Sequence, residues 1–171
     1  MSSPATGSVP EGNANASGAK KVPKPIMDRV TEYRPWQAML MDEIKQKPDR
    51  RTVNWFWDST GNTGKTALCK HICMTRHAVY FHGRGSDAEA AIANRIKKHE
   101  STDIVLWDIP RTAKDYVKYE VIDFIKDGIF PYGRYGQLLF NSPHLYVFAN
   151  FLPDRTKVSQ DRWRIFEIPT G

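Results

Sequence analysis

The sequence predicts an α/β fold: a three-layer sandwich, helix on sheet on helix, with a mainly parallel sheet. Three observations predict it. Residues 53–57 are a short apolar run broken only by Asn54, and 104–107 and 145–149 are such runs without alternation, the pattern of strands covered on both faces. Segments with helical spacing separate them, and strands alternating with helices build a parallel sheet. A glycine-rich turn, Gly61 to Thr66, joins the first run to the helix after it. In such sheets ligands bind at the carboxyl ends of the strands, so the chemistry is expected there.

The elements follow in order. Residues 1–25 are rich in Ser, Gly, Ala, Asn and Pro, and end in Lys20, Lys21 and Lys24. They carry too little apolar surface to offset the entropy of ordering, so they read as a disordered tail. That tail is either a solvated linker or a basic segment that touches nucleic acid or contributes to a nuclear address. Residues 26–50 read as a helical lead-in. Pro35 suits a first helical turn, and Trp36, Met39, Leu40 and Ile44 recur at helical spacing before Pro48. Residues 51–171 read as the main domain. After the strand at 53–57 come a helix over 66–75, a short strand at 79–82, and a helix capped by Ser86 or Asp87 that runs to His99. The strand at 104–107 is followed by a helix from Thr112, with Val117, Val121, Phe124 and Ile125 on one face and Gly128 as its stop. Strands at 145–149 and 164–168 complete the sheet. No internal repeat is evident.

Composition narrows the function classes. The chain has 171 residues, of which 40% are hydrophobic, enough for a core. Lys and Arg number 25 against 19 Asp and Glu, a net charge of +6 that favours polyanionic partners. Two cysteines exclude a disulfide-stapled scaffold. No apolar run is long enough to span a bilayer, and the first residues lack the apolar centre of a signal peptide. The expectation is a soluble, intracellular protein, neither secreted nor membrane-bound.

The segment Trp55-Phe-Trp-Asp-Ser-Thr-Gly-Asn-Thr-Gly-Lys-Thr66 is a strand, a glycine loop and a helix start. Amides of Gly61, Asn62, Thr63, Gly64 and Lys65 can turn inward on a phosphate, and the helix N-terminus adds its partial positive charge. Lys65 can reach terminal phosphates, and the Thr66 hydroxyl can join a magnesium shell. The usual G-x-x-x-x-G-K-[ST] spacing puts its first glycine at Ser59; here the glycine stands at Gly61. Asp108 follows the strand at 104–107, where a carboxylate either holds the magnesium ion or its waters, or serves as a turn residue. Asn150 ends the next strand, where an amide either meets a phosphate and its attacking water or caps a turn. Arg162 comes later, either a solvated cation or one that reaches a neighbouring subunit's phosphate.

Four segments, WFWDSTGNTGKTALCK, VLWDIPR, FIKDGIFPYGRYG and VFANFLPD followed by SQDRWRIFEI, together resemble the superfamily 3 helicase domain. Within it they are most similar to the replication-associated (Rep) proteins of small circular single-stranded DNA viruses, in the nanovirus and alphasatellite branch. The resemblance spans roughly residues 33–168. It implies an AAA+-like P-loop ATPase that binds ATP and Mg2+ and assembles as a homo-oligomeric, hexameric ring around single-stranded DNA. It assigns Gly61 to Thr66 to Walker A, Asp108 to Walker B, Asn150 to the sensor position, and Arg162, with Arg164 as alternative, to the arginine finger. Lys126 and the loop through Tyr135 match the B-prime hairpin, where Lys126, Tyr132, Arg134 and Tyr135 would touch DNA. Basic and aromatic side chains among glycines suit that task, since lysine neutralises phosphate and rings stack on bases.

Two departures stand out. Asp108 is followed by Ile109, so no second acid stands beside it. The five histidines include no pair two residues apart, and nothing before Tyr33 supplies the nuclease domain of a full-length Rep. Nicking is therefore not expected of this chain, and a separate endonuclease subunit is an expected partner if the product is split. The host nucleus is the expected location for a viral protein of this kind. Alternatives are an RNA helicase of the same superfamily, a decayed nucleic-acid-binding module and, less favoured, a nucleotide kinase. Cys69, Cys73 and His77 share a helix face, which reads either as two buried thiols or as an incomplete zinc site.

Overall fold

A computed structural model describes residues 30–170. The expected tail at 1–25 lies outside the described residues. The elements are α1 (Pro35–Glu43), β1 (Val53–Trp57), α2 (Lys65–Arg76), β2 (Val79–His82), α3 (Ala88–Lys97), β3 (Ile104–Asp108), α4 (Glu120–Asp127), β4 (Ile129–Phe130), β5 (Leu138–Leu139), β6 (His144–Ala149) and β7 (Trp163–Glu167), with 3-10 turns at Arg111–Tyr116 and Gln160–Arg162. Five strands form one sheet in the order β2-β3-β6-β1-β7, and every pairing is parallel. The expected parallel sandwich is what the chain forms.

The three central strands are buried along most of their length because each face carries a separate apolar layer. On one face Trp36 and Leu40 of α1, Ile44 just after it, and Leu68 and Ile72 of α2 pack on Phe56, Leu106 and Phe148. On the other, Ile92 of α3 and Val121, Ile122 and Ile125 of α4 pack on Trp55, Trp107 and Val147. Each such side chain contributes about 1.5–3 kcal/mol by leaving water. The lead-in helix α1 thus shares the core of the main domain. It also braces the glycine loop: Trp36 Nε1 donates to the Thr63 carbonyl and Gln37 Nε2 to the Gly64 carbonyl, both at 3.2 Å.

The helix expected from Thr112 is in fact broken. Residues Arg111–Tyr116 form a 3-10 turn, Val117 is extended (φ −63°, ψ 129°), and α4 begins only at Glu120. Tertiary contacts take the backbone that a continuous helix would need. Lys118 N–H donates to the Arg84 carbonyl at 2.9 Å. The Tyr119 ring stacks on Trp55, with centroids 6.2 Å apart and planes at 14°. Tyr119 Oη also accepts the Asp154 N–H at 2.9 Å. Gly128 does stop α4, in the left-handed region (φ 74°), and an added Cβ there would strike the Phe140 carbonyl. The chain then forms the small β4–β5 hairpin, pairing Ile129 with Leu139 and Phe130 with Leu138.

Candidate functional site

The parallel sheet sends Asp58, Asp108 and Asn150 to the carboxyl ends of β1, β3 and β6, which are adjacent strands. The loop after β1 needs positive φ at Gly61 (85°), Asn62 (57°) and Gly64 (92°). Two glycines and an asparagine are the residues that accept this at least cost. Lys65 is the first residue of α2 and Thr66, exposed, the second.

What the loop gathers around is Asp58, a residue whose role sequence reasoning did not identify. Its side chain is buried, at 0% exposure. Lys65 Nζ and the Gly61 N–H donate to it, and Thr63 Oγ1 donates at 2.6 Å. Burial pushes this carboxyl's pKa upward, but the hydrogen bonds from Lys65, Thr63 and Gly61 outweigh burial and hold it below its ordinary value. A signal was present: both Trp57-Asp58 and Trp107-Asp108 end an apolar strand in a carboxylate.

Asp108 ends β3 opposite His82 of β2. Tyr80 Oη donates to its Oδ2 at 2.9 Å, and His82 Nδ1 stands 3.6 Å from the same oxygen. Burial, and then the Asp108 charge, raises the Tyr80 pKa, so Tyr80 keeps its proton as a donor. Asn150 Nδ2 donates to the Asp58 carbonyl at 3.4 Å, and a Cβ on Gly61 would stand 3.9 Å from that nitrogen. Asn150 therefore borders the loop.

The hairpin loop is exposed at Tyr132, Arg134 and Tyr135, with Tyr132 79% open. It leans on α3, where a Cβ on Gly133 would collide with the Glu89 carboxylate. Tyr135 lines a cavity of about 840 Å³ together with Tyr80, His82, Asn94 and Lys97.

Two expectations are corrected. Lys126 was expected on the nucleic-acid surface, but it is 2% exposed. Its Nζ donates to the Asp49 carbonyl at 2.9 Å and the Pro143 carbonyl at 2.5 Å. Burial lowers its pKa to about 8, partly opposed by Asp49. The α4 face that seats Val121, Ile122 and Ile125 also carries Lys126 inward. Arg162 was expected to reach a neighbouring subunit. It is 4% exposed, ion-paired to Asp123 at 3.0 Å and Asp127 at 2.6 Å, and bonded to the Arg51 carbonyl at 3.3 Å. It precedes Trp163, which pairs with Val53, so it lies at the amino end of the sheet and not at the loop end. The alternative, Arg164, is held by Glu43 at 2.7 Å and Asn54 at 2.8 Å. Cys69 is buried and Cys73 half-buried, and no group of three or more metal-ligating side chains occurs among the described residues. No helix among the described residues is long and apolar enough to cross a membrane.

Phosphate and magnesium are tested by this donor set. A backbone amide, a hydroxyl and an ammonium already converge on an anionic group, so the loop's chemistry fits a phosphate oxygen. Asp108 and Thr66 are oxygen donors of the kind magnesium takes.

No family model matches the chain. It is similar to curated replication proteins. It is 35% identical over 147 residues to the master replication protein of Faba bean necrotic yellows virus, covering 85% of this chain and 49% of that one. It is 34% identical over 139 residues to Para-Rep C7 of Faba bean necrotic yellows C7 alphasatellite, covering 78% and 48%. It is 33% identical over 137 residues to the master replication protein of Banana bunchy top virus, covering 79% and 46%. The chain spans about half the length of these relatives. Homologues of this chain are thus replication proteins of the nanovirus and alphasatellite kind.

Proposed function

We propose that this chain is the ATP-hydrolysing motor of a viral replication protein, one that moves along or unwinds single-stranded DNA. One observation carries the reading: at the carboxyl end of the sheet, the loop from Gly61 to Lys65 gathers its donors around an anion. The named relatives support the replication role.

In this reading ATP and Mg2+ supply the transferable phosphoryl group and a counter-charge for it. The loop amides and the N-terminus of α2 bind the phosphates, and Lys65 neutralises them. Asp108 and Thr66 would hold the metal, with Tyr80 fixing the Asp108 carboxylate in orientation. Asn150 orients groups at the loop's edge. Tyr132, Arg134 and Tyr135 on the exposed hairpin contact the nucleic acid, with rings for bases and a guanidinium for phosphate. Copies of the chain assemble into a ring, working in the host nucleus.

Lys65→Ala tests the site. Loss of ATP hydrolysis in a variant with the parent's circular dichroism is the expected result, and equal turnover overturns the assignment. Stimulation of turnover by single-stranded DNA, and not by RNA of the same length, is expected. Stimulation by RNA alone reassigns the substrate. Tyr132→Ala should weaken DNA binding by about 1–3 kcal/mol if the ring stacks on a base.

A further inference from the structure

We infer that Asp58 is a positioning residue that holds Lys65 in reserve: the phosphate loop carries its own anion, and an incoming phosphate takes Lys65 by displacing that carboxylate from it. The inference rests on the reading of this loop as a phosphate site and adds a residue that reading did not require.

Asp58 is held by the Gly61 N–H, the Thr63 hydroxyl and the Lys65 ammonium, and the ammonium is the one that a phosphate must take from it. Lys65 is 11% exposed at its side chain and Asp58 is fully covered. Two anions cannot share one ammonium in so enclosed a place without repulsion, so phosphate and carboxylate compete for Lys65. The two kinds of donor differ in mobility. Gly61 belongs to the turn and Thr63 is 2% exposed, with its carbonyl held by Trp36. Lys65 sits on a flexible four-carbon stem. Lys65 is therefore the donor that leaves, while Gly61 and Thr63 stay with Asp58.

The same geometry gives Asp58 a second task. The glycine usual at the position of Ser59 is missing, and the Asp58 carboxylate bonds across the turn to Gly61 and Thr63 instead. One oxygen pair thus shapes the loop, and one negative charge restrains Lys65. Substitutions separate these tasks. Asp58→Asn keeps an oxygen for the Gly61 N–H and a polar group beside Thr63, but removes the charge. Asp58→Ala removes both.

A restrained lysine lowers apparent affinity by the fraction of loops in which it is free. If the pair holds in nine loops of ten, the penalty is about tenfold. Calorimetry with pyrophosphate, and separately with Mg-ATP, on the parent, Asp58→Asn, Asp58→Ala and Lys65→Ala reads it directly. Asp58→Asn should bind both probes about tenfold more tightly than the parent, and Asp58→Ala more weakly. In steady-state hydrolysis Asp58→Asn should lower KM without raising kcat, a split that mere loosening of the loop does not produce.

Parent-like or weaker binding by Asp58→Asn overturns the inference while leaving the phosphate site standing, provided the parent binds and Lys65→Ala does not. Absence of binding by parent and Asp58→Asn alike overturns both. If Asp58→Asn lacks the parent's circular dichroism, the unaltered chain decides. The Asp58 13Cγ resonance should move on adding pyrophosphate, and a resonance that stays in place at saturation overturns the inference.

Discussion

Arg162 donates to Asp127 across 2.6 Å and pairs with Asp123 at 3.0 Å, so the turn before β7 is clamped to α4. The clamp lies at the end of the sheet away from the phosphate loop. Arg162→Ala should therefore act on stability. Both carboxylates are about half exposed, at 42% and 52%, so water screens part of the interaction. The loss should be roughly 2 kcal/mol, read from urea unfolding. Folded Arg162→Ala should hydrolyse ATP as the parent does. Loss of turnover that mixing with Lys65→Ala subunits partly recovers would show that Arg162 leaves its clamp to act on a neighbour.

Gly128→Ala tests the junction between α4 and the hairpin. The position has φ 74°, and the added Cβ would run into the Phe140 carbonyl. Left-handed strain alone costs about 1–3 kcal/mol, and the collision adds to it. A loss of unfolding free energy that exceeds this range is expected, and an unchanged stability would mean the hairpin is not held there.

Lys126 makes stability depend on pH. Its pKa in the folded chain is about 8, against 10.5 when exposed. Below pH 8 both states hold the proton, and burying the charge costs stability. Between pH 8 and 10.5 the unfolded chain keeps a proton that the folded chain releases, so this residue's contribution rises with pH. Burial raises the Cys69, Cys73 and Tyr80 pKa values, which works in the opposite direction at the upper end of this range. Comparison with Lys126→Met isolates the lysine. From pH 8 to 9.5 the parent should gain about 1–2 kcal/mol relative to the variant. Parallel stability curves would contradict this.

Tyr80→Phe removes the donor that fixes Asp108 and keeps the ring. Under the proposed function, a less restrained carboxylate should raise the Mg2+ concentration for half-maximal ATP hydrolysis several-fold, since partners that orient a metal's ligands tune its affinity. Binding of metal-free ATP should stay as in the parent. An unchanged magnesium requirement would separate Tyr80 from the metal site.

The sequence by itself determined the alternation of helices with the main-sheet strands, the parallel sheet and the place of the glycine loop. These are local properties. Run length distinguishes a doubly covered strand, and the positive φ at Gly61 and Gly64 follows from residues inside one turn. It also put Asp108 and Asn150 at one edge of the sheet, because parallel strands that each end in a polar residue display them there; the tertiary structure made their strands neighbours. Only the tertiary structure decided what the charged side chains do. Lys126 looked like a surface cation until Asp49 and Pro143, both outside its helix, supplied carbonyls for its ammonium. Arg162 looked free until α4 offered two carboxylates. Asp58 had no role to suggest it until the loop folded back over its carboxylate. A charge can be buried only where distant parts of the chain provide its partners, and no local pattern records which parts will meet.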